Sequence, residues 1–389
     1  MRILTFGTLF PDATRPSHGV FVEQRLRHLL ALGGIEAKVI APVPWFPSTH
    51  ARFGEWASFA RVPRREVRHG VEVLHPRFLS IPKVGMNFAP NLLAMGARST
   101  MAKVIREGFD FDVIDAQYFY PDGVAAMMLG RQFKKPVVIT ARGTDLNLIP
   151  QFATPRRMIA AAAHESHSCI TVCAALKDVL VEMGVDSSKV HVLRNGVDLT
   201  RFAPPADREA LRRARNFVHP TVICVGHLIP RKGPNLAVRA IAELSGVHLV
   251  FVGDGPEEAA TRALAVSLGV ADRVQFAGRK PPEELKDWYG AADVLLLASD
   301  REGWANVLLE SMACGTPVVA TRIWGTPEVV TTPESGILVE RTPKAIAAGL
   351  RQLLASPPSR NATRLYAERF SWDDTAHALR TVLENAAQH

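Results

Sequence analysis

The feature that most constrains the fold is a regular alternation of short apolar runs with longer stretches of helical period. The runs are rich in Val, Ile and Leu without strict polar alternation, which is typical of strands buried on both faces. Between them, segments such as Val20–Leu32, Ala174–Met183 and Glu257–Leu268 repeat apolar residues at the spacing of an amphipathic helix. Strands alternating with helices predict an α/β fold with parallel sheets covered by helices. The predicted strands are Ile3–Phe6, Ala37–Ala41, Val71–Leu74, Val113–Ala116, Val137–Thr140, Cys169–Val172, Val190–Leu193, Thr221–Val225, His248–Val252, Val274–Ala277, Val294–Leu297 and Pro317–Ala320.

The chain of 389 residues is too long for one ordinary hydrophobic core, so we expect two domains. The pattern restarts after Asp198, where an Arg-rich helical stretch, Arg208–Arg215, leads to a new strand. We therefore divide the chain into residues 1–198, residues 199–370 and a final helical segment, 371–389. The two main parts are expected to be doubly wound, Rossmann-like domains that face each other across a cleft.

The net charge of +8 is concentrated in the first domain. Residues 1–198 hold 24 Lys and Arg against 17 Asp and Glu, a net +7, and the remaining residues hold 22 against 21, a net +1. This asymmetry predicts contact with anionic material. No zinc-finger, RNP-like or basic-helix pattern supports nucleic acid as the partner. An anionic membrane surface and a phosphate-bearing acceptor are both compatible with the charge.

A cluster of arginines beside two aromatic residues precedes the strand at Val71. Basic side chains with aromatic neighbours are typical of surfaces that dock on anionic membranes, and a solvated loop is the alternative. The members of the cluster are Trp56, Phe59, Arg61, Arg64, Arg65 and Arg68.

The N-terminal segment does not predict export. Its apolar run is interrupted by Pro11 and Asp12, and no small-residue cleavage site follows. No apolar run reaches the roughly 18 residues of a membrane-spanning helix. We expect a cytoplasmic protein, with peripheral contact at the inner face of the membrane left open.

The most informative stretch is residues 302–317, which read EGWANVLLESMACGTP. Gly303 is expected to permit a tight turn, and Asn306–Met312 has the pattern of a helix that ends before Gly315. The unpaired N–H groups at the start of that helix, near Ala305–Leu308, form an anion site suited to a diphosphate.

Two carboxylates flank this helix start. Glu302 precedes the turn and Glu310 lies inside the helix, so both can accept hydrogen bonds from sugar hydroxyls on either side of a bound diphosphate. A capping acid and a surface glutamate are the alternative for each residue alone, but they do not account for the whole string.

The string from Glu302 to Glu310 resembles the Glu-x7-Glu motif of the retaining glycosyltransferases of family four, which have the GT-B fold. Further segments resemble motifs of that family in the same order, over nearly the whole chain. The segments are Arg194–Asp198 for the interdomain segment, Val225–Gly233 for the phosphate loop, Val252–Pro256 for the next strand-end turn, Trp324–Glu328 for the loop after the helix and Phe370–Trp372 for the start of the last helix.

The resemblance implies a role for each part of the chain. Residues 1–198 would be the acceptor-binding domain and residues 199–370 the donor-binding domain, with 371–389 packing back on the first domain. Glu310 would bind the ribose hydroxyls of the donor, and Glu302 would bind the donor sugar. The expected donor-binding residues are Gly19, His227, Arg231, Lys232, Arg279, Lys280, Glu302, Gly303, Trp304, Ala305, Asn306, Val307 and Glu310.

Several of these residues have an ordinary alternative. Lys232 would hold the diphosphate, where a fixed cation stabilises the leaving group. Arg231 either shares that role or is a solvated charge. Arg279 and Lys280 either meet the nucleotide base or form a plain basic loop. Gly19 either opens a helix whose N–H approaches a phosphate or forms a plain turn.

Three positions depart from the family pattern. His227 stands where Arg is usual, so a titratable group replaces a permanent cation. Arg142 and Gln117 stand where histidines credited with donor-sugar contacts are common, so the donor sugar cannot be assumed. Gln117 and Asp145 are the acceptor-side candidates, and an ordinary loop acid is the alternative for Asp145.

These features predict a retaining hexosyltransferase that moves a sugar from a nucleotide diphosphate sugar to a sugar, a lipid-linked acceptor or a glycan precursor. Glu302, Lys232 and Arg142 are the expected catalytic residues. No metal or other cofactor is expected beyond the nucleotide-sugar co-substrate. The Asp-x-Asp sequence at 110–112 reads as a turn. A nucleotide-sugar 2-epimerase of the same fold and a non-catalytic nucleotide-sugar sensor or scaffold are the alternatives.

Overall fold

The computed structural model describes residues 1–81 and 85–388, and these divide into two compact units. Unit 1 contains Met1–Asn195 and the segment from Trp372 onward, and unit 2 contains Gly196–Ser371. The division falls three residues before the boundary expected from the sequence.

Unit 1 alternates strands and helices along most of its length. Its described strands are β1 (Arg2–Phe6), β2 (Glu36–Ile40), β3 (Val43–Pro44), β4 (Arg65–Arg68), β5 (Val71–Leu74), β6 (Arg77–Phe78), β7 (Val113–Gln117), β8 (Val137–Ala141), β9 (Ser168–Thr171) and β10 (Val190–Val192). Its described helices before the boundary are α1 (Val20–Ala31), α2 (Glu55–Arg61), α3 (Ala89–Arg106), α4 (Val124–Phe133), α5 (Thr144–Asn147), α6 (Ala153–Glu165) and α7 (Ala174–Glu182).

Eight of these strands form one sheet in the order β10-β9-β8-β7-β1-β2-β5-β4. Neighbouring strands are parallel except for β4, which pairs antiparallel with β5, while β3 and β6 form a separate parallel pair. The chain winds in one direction from β1 to β2 and in the other from β1 to β7. The carboxyl ends of β1 and β7 therefore meet at the point where the strand order reverses, which is where ligands bind in open α/β sheets.

Unit 2 repeats this plan with a smaller sheet. Its strands are β11 (Thr221–Val225), β12 (His248–Val252), β13 (Val274–Gly278), β14 (Val294–Leu297), β15 (Val318–Thr321) and β16 (Gly336–Val339). Its helices are α8 (Arg208–Ala214), α9 (Pro234–Ala242), α10 (Glu258–Ser267), α11 (Leu285–Ala291), α12 (Asn306–Ala313), α13 (Thr326–Val329), α14 (Pro343–Ala355) and α15 (Arg360–Ala367).

All six strands of unit 2 are parallel, in the order β13-β12-β11-β14-β15-β16. The order reverses between β11 and β14, as in other doubly wound sheets. The core between sheet and helices includes Val222, Leu249 and Leu296 from strands and Ile346 and Leu350 from α14, all nearly inaccessible to solvent. Burial of each such side chain contributes roughly 1.5–3 kcal/mol.

The last helix, α16 (Trp372–Ala387), belongs to unit 1. Its Leu379 and Leu383 are completely buried in a cluster with Ile3 of β1 and Leu29 of α1. The Thr375 hydroxyl donates a 2.6 Å hydrogen bond to the carbonyl of Arg194. Burial of the apolar face of α16 therefore ties the end of the chain to the sheet of unit 1.

Two arginines of the cluster, Arg65 and Arg68, lie in strand β4 and not in a loop. The Nε of Arg68 donates to Glu23 at 2.7 Å, and the Nε of Arg65 lies 2.6 Å from Glu72. Two of the four arginines are thus paired with carboxylates, which reduces the free positive charge of the cluster. No helix within residues 1–81 and 85–388 has the length and apolar character to span a bilayer.

Candidate active site

The carboxyl edge of the unit 2 sheet brings together two loops that are distant in sequence. Strands β11 and β14 are parallel neighbours, so the loop after Val225 and the loop after Leu297 leave the sheet side by side. These are the loops that carry Lys232 and Glu302, which are 70 residues apart along the chain.

Glu302 is the centre of a compact ionic cluster. Its Oε1 accepts hydrogen bonds from Lys232 Nζ at 2.6 Å and Ser299 Oγ at 2.7 Å, and it lies 3.1 Å from Arg231 Nη1. Burial alone would raise the pKa of this carboxyl, but the two cations outweigh it and hold the pKa below its ordinary value. Glu302 is therefore ionised at neutral pH.

Ser299 was not predicted from the sequence. Its side chain is fully buried, and its position one residue beyond Ala298 places it directly after strand β14. Ser299 could have been recognised as a candidate because it is a polar residue just beyond the carboxyl end of a strand at the switch point.

A glycine allows the Lys232 loop to lie close to the loop after β14. Gly233 caps α9 with φ of 65°, and a Cβ there would lie 2.5 Å from the carbonyl oxygen of Ala298. Only glycine fits both the left-handed backbone and this contact. The same loop lines a small cavity of about 30 Å³ together with His227. The His227 Nδ1 donates to the carbonyl of Asp254 at 2.6 Å, and the ring is otherwise exposed.

The start of α12 offers backbone N–H groups beside this cluster. The helix begins after Ala305, which provides no side-chain cap. Trp304 is buried, with its ring 6.0 Å from that of Phe370. Gly303 forms the expected bend, but its φ is not positive, so the turn does not depend on left-handed backbone at that residue. Asn306 and Val307 are both partly exposed.

Glu310 lies in the same helix but outside the ionic cluster. Its Oε2 accepts a 2.8 Å hydrogen bond from the hydroxyl of Tyr289 on α11. Burial raises the pKa of the Glu310 carboxyl, and the bond from Tyr289 and the charge of Arg201 oppose that rise. Tyr289 was also missed at the sequence level, because nothing in the pattern of α11 distinguishes it from an ordinary core residue.

The basic pair after β13 stands apart from Glu302. Arg279 is exposed, and Lys280 places its Nζ 5.4 Å from the centre of the Trp288 ring. Strand β13 is two strands away from β11 in the sheet. The structure therefore brings together Arg231, Lys232 and Glu302, and it leaves Arg279 and Lys280 in a separate position.

In unit 1, Arg142 and Gln117 follow neighbouring strands and contact each other. Arg142 Nη2 donates to the Gln117 Oε1, and Nη1 donates to Asn195 Oδ1 at 3.2 Å. The guanidinium lies 5.3 Å from the centre of the Phe21 ring on α1. Burial, together with the positive charge of Arg25, lowers the pKa of Arg142. Two guanidinium groups are thus held close together near the carboxyl ends of β7 and β8.

Asp145 is completely buried, and its carboxylate organises the loop after β8. It accepts hydrogen bonds from the backbone N–H groups of Phe119 and Gly143, both at 2.7 Å, and of Arg142 at 3.1 Å. Burial raises its pKa, and these backbone donors oppose the rise. A carboxylate engaged by three donors favours the loop-acid alternative over a group that contacts the acceptor.

The loop before α1 is shaped by Gly19 and by an acid that the sequence did not indicate. Gly19 has φ of 70°, and a Cβ there would lie 2.5 Å from the Leu9 carbonyl oxygen, so only glycine fits. Asp122 is fully buried and accepts from the Thr8 N–H at 2.5 Å and from the Thr8 hydroxyl at 3.2 Å. Burial raises the pKa of Asp122 to about 7.

The raised pKa of Asp122 predicts a pH-dependent cost in stability. Between about pH 4 and 7 this carboxyl is ionised in the unfolded chain and protonated in the folded chain. The free energy of unfolding of the parent should therefore fall by about 1.4 kcal/mol for each unit by which the pH rises, because of this group. Asp122→Asn cannot ionise and keeps an acceptor for the Thr8 N–H. We therefore expect the melting temperature of Asp122→Asn minus that of the parent to be larger at pH 7.5 than at pH 5.

Thermal unfolding of both proteins at the two pH values measures this effect. Asp110→Asn is the control, because Asp110 is an exposed carboxylate at the amino end of β7, paired with Lys135 at 2.7 Å. If Asp122→Asn changes the melting temperature by the same amount at both pH values, the prediction is contradicted.

The Asp-x-Asp sequence lies at the opposite edge of the sheet from these loops. The Asp112 Oδ2 accepts from the backbone N–H of Arg2 at 2.7 Å, before strand β7 begins. Both acids therefore have structural partners at the amino ends of the strands.

Two doubly wound α/β units, each with candidate residues beyond the carboxyl ends of its strands, are the architecture of the GT-B fold. Sucrose-phosphate synthase from Thermosynechococcus elongatus has this fold, with a TM-score of 0.79 and 22% identity over 99% of this chain and 98% of that one. Residues 19–201 match the family described as Glycosyltransferase Family 4, and residues 207–370 match Glycosyl transferases group 1.

Curated relatives agree with this assignment. The D-inositol 3-phosphate glycosyltransferase of Acidothermus cellulolyticus is 33% identical over 326 residues, which are 76% of this chain and 72% of the relative. The GDP-mannose-dependent alpha-(1-6)-phosphatidylinositol monomannoside mannosyltransferase of Mycolicibacterium smegmatis is 29% identical over 345 residues, 84% of this chain and 86% of the relative. The chain belongs to glycosyltransferase family 4.

Proposed function

We propose that this glycosyltransferase moves a hexosyl group from a nucleoside diphosphate sugar to an acceptor hydroxyl with retention of the anomeric configuration. The observation that carries the proposal is the cluster of Lys232, Arg231 and Glu302 at the switch point of unit 2, beside the uncapped start of α12. Two cations beside the start of a helix are suited to a diphosphate.

Lys232 and Arg231 are the groups that would stabilise the departing nucleoside diphosphate. The Lys232 ammonium has three donors, and Glu302 engages it through one 2.6 Å bond. Further donors can therefore contact phosphate oxygens while the bond to Glu302 persists. Because negative charge grows on the diphosphate as the sugar bond breaks, these contacts strengthen in the transition state.

The state of Glu302 supports retention without a covalent enzyme intermediate. Lys232 and Ser299 donate hydrogen bonds to its Oε1, and Arg231 Nη1 lies 3.1 Å from the same oxygen. Because its pKa also lies below the ordinary value, Glu302 is a weak base and a hindered nucleophile. In a mechanism where the leaving phosphate and the incoming hydroxyl share one face of the sugar, Glu302 need act neither as a base nor as a nucleophile. Catalysis then rests on positioning and on charge stabilisation.

The proposed acceptor carries a phosphate. The two curated relatives are named for acceptors built on inositol phosphate or phosphatidylinositol. In this chain, the guanidinium groups of Arg25 and Arg142 are both buried in unit 1, and Arg25 Nη1 has Thr140 Oγ1 as its partner at 3.1 Å. These two cations in the proposed acceptor-binding unit support an anionic acceptor.

Docking on an anionic membrane at the inner face stays a prediction. The pairing of Arg65 and Arg68 with carboxylates leaves Arg61 and Arg64 as the basic residues available for it. Liposome flotation with and without anionic lipid tests this point, and equal recovery in both conditions would contradict it.

The function is tested by incubating the protein with UDP-, GDP- and ADP-sugars and inositol 3-phosphate. We expect release of nucleoside diphosphate and a product whose anomeric proton, observed by NMR, has the configuration of the donor. The same assay with EDTA tests the proposed independence from metal ions, for which the rate should not change.

The alternatives give different results in the same assay. A sensor binds nucleotide sugar and releases no diphosphate. An epimerase changes the donor sugar without an acceptor. Product with the opposite anomeric configuration would contradict retention and leave the glycosyltransferase assignment intact.

A further inference from the structure

We infer that Tyr289 is a positioning residue that makes nucleotide binding selective for an intact ribose. It acts by fixing the carboxylate of Glu310 so that one oxygen is anchored and the other stays available to a ribose hydroxyl. This inference rests on the proposed function and on the contact between Glu310 and the donor ribose that the family resemblance implies.

The two oxygens of Glu310 have different surroundings. Oε2 accepts the 2.8 Å hydrogen bond from Tyr289, and within the described part of the chain no hydrogen bond to Oε1 is found. Glu310 is partly exposed, and Tyr289 is completely buried. An anchored carboxylate with one remaining acceptor can bind a hydroxyl donor without first losing side-chain freedom.

Tyr289 itself is held from several sides. Its carbonyl accepts a 2.6 Å hydrogen bond from the Thr316 hydroxyl, which is also contacted by Arg360 Nη2 at 2.9 Å. Its ring packs edge-on against Phe202, with 6.0 Å between the ring centres. The phenol therefore reaches Glu310 from a fixed position.

The direction of this hydrogen bond is also fixed. Burial and the negative charge of Glu310 raise the pKa of Tyr289, so the phenol keeps its proton and remains the donor. The carboxylate must then be the acceptor, which lowers the pKa of Glu310 against the effect of burial. When it is ionised, the Glu310 carboxylate accepts hydrogen bonds only, as recognition of a ribose diol requires.

The test compares ribonucleotides with their deoxy forms on the full-length protein. Dissociation constants are measured by calorimetry for UDP, GDP and ADP and for the corresponding 2′-deoxy and 3′-deoxy diphosphates. We expect the parent to prefer the ribonucleotide it binds by about tenfold over at least one deoxy form, since a charge-assisted hydrogen bond is lost. In Tyr289→Phe the affinity for the ribonucleotide should fall by roughly 5- to 10-fold and that for the deoxy form should not change.

Three further measurements separate positioning from loss of a buried hydroxyl. Tyr366→Phe removes another hydroxyl of unit 2, one that donates to the Val329 carbonyl at 2.7 Å, and it should keep the ribose preference. In a Glu310→Ala background, Tyr289→Phe should have no further effect on nucleotide affinity, because the group through which it acts is absent. As the pH is lowered, Tyr289→Phe should also begin to lose ribonucleotide affinity at a higher pH than the parent does. The reason is that loss of the phenol raises the pKa of Glu310, so the carboxylate is protonated earlier.

The outcomes distinguish this inference from the function it rests on. If the parent binds none of the nucleotides, the proposed function fails. If the parent binds ribonucleotide and deoxynucleotide equally, or if Tyr289→Phe keeps the full ribose preference, the role of Tyr289 is overturned while nucleotide binding stands. The parent comparison requires no variant to fold, and the preference is a ratio measured on one protein.

Discussion

Replacing Lys232 by alanine should reduce turnover by about 100- to 1,000-fold, the loss typical for removal of one group that stabilises transition-state charge. Its Nζ is held 2.6 Å from Glu302 at the switch point of unit 2, where the start of α12 also offers N–H donors. Nucleoside diphosphate affinity should fall less than turnover, because the cation matters most when charge has built up on the leaving group.

The measurement is turnover at saturating donor, together with calorimetric affinity for the nucleoside diphosphate. Lys344→Ala is the matched control, because Lys344 is an exposed lysine in the same unit. Glu302→Gln, which keeps the shape and removes the charge, should likewise reduce turnover more than affinity. Turnover of Lys232→Ala within threefold of the parent would place the leaving-group site elsewhere.

Replacing Glu310 by alanine should mainly weaken donor binding. A lost charge-assisted hydrogen bond costs on the order of 1.5–3 kcal/mol, which corresponds to roughly a 10- to 150-fold higher dissociation constant. The variant also leaves the buried hydroxyl of Tyr289 without its partner, so the free energy of unfolding should fall by about 1–3 kcal/mol.

Affinity is measured on protein shown to be folded by circular dichroism. Glu258→Ala is the control, because that glutamate forms a surface ion pair with Arg262 of α10, at 2.8 Å. Unchanged nucleotide affinity in Glu310→Ala, with the expected loss of stability, would mean that Glu310 is a structural residue and not a contact of the donor.

The sequence determined the two-part α/β plan and nearly all of the central strands. Buried parallel strands must be apolar on both faces, and a helix that faces the core must repeat apolar residues at the helical period. Both elements can therefore be recognised from the local pattern of apolar residues. The predicted strand Thr221–Val225 and the helix that begins at Asn306 both agree with the structure. The order of motifs along the chain was sufficient to indicate the family.

Two of the four edge strands, β4 and β16, could not be recognised from the sequence in the same way. Strand β4 carries the sequence REVR, and β16 was not predicted at all. An edge strand is partly exposed, so its residues need not be apolar, and it is specified by the neighbour with which it pairs. The arginines of β4 therefore read as a basic cluster until their pairing with Glu23 and Glu72 was visible.

The pairing of side chains within the candidate site was decided only by tertiary structure. Lys232 and Glu302 were both expected there, but their direct contact across 70 residues follows from β11 and β14 being neighbours. Tyr289 and Asp122 left no signal because each is buried and acquires its role from one partner, Glu310 and Thr8 respectively. Burial makes those single hydrogen bonds govern charge and orientation, and burial is a property of the packed fold that the local sequence does not encode.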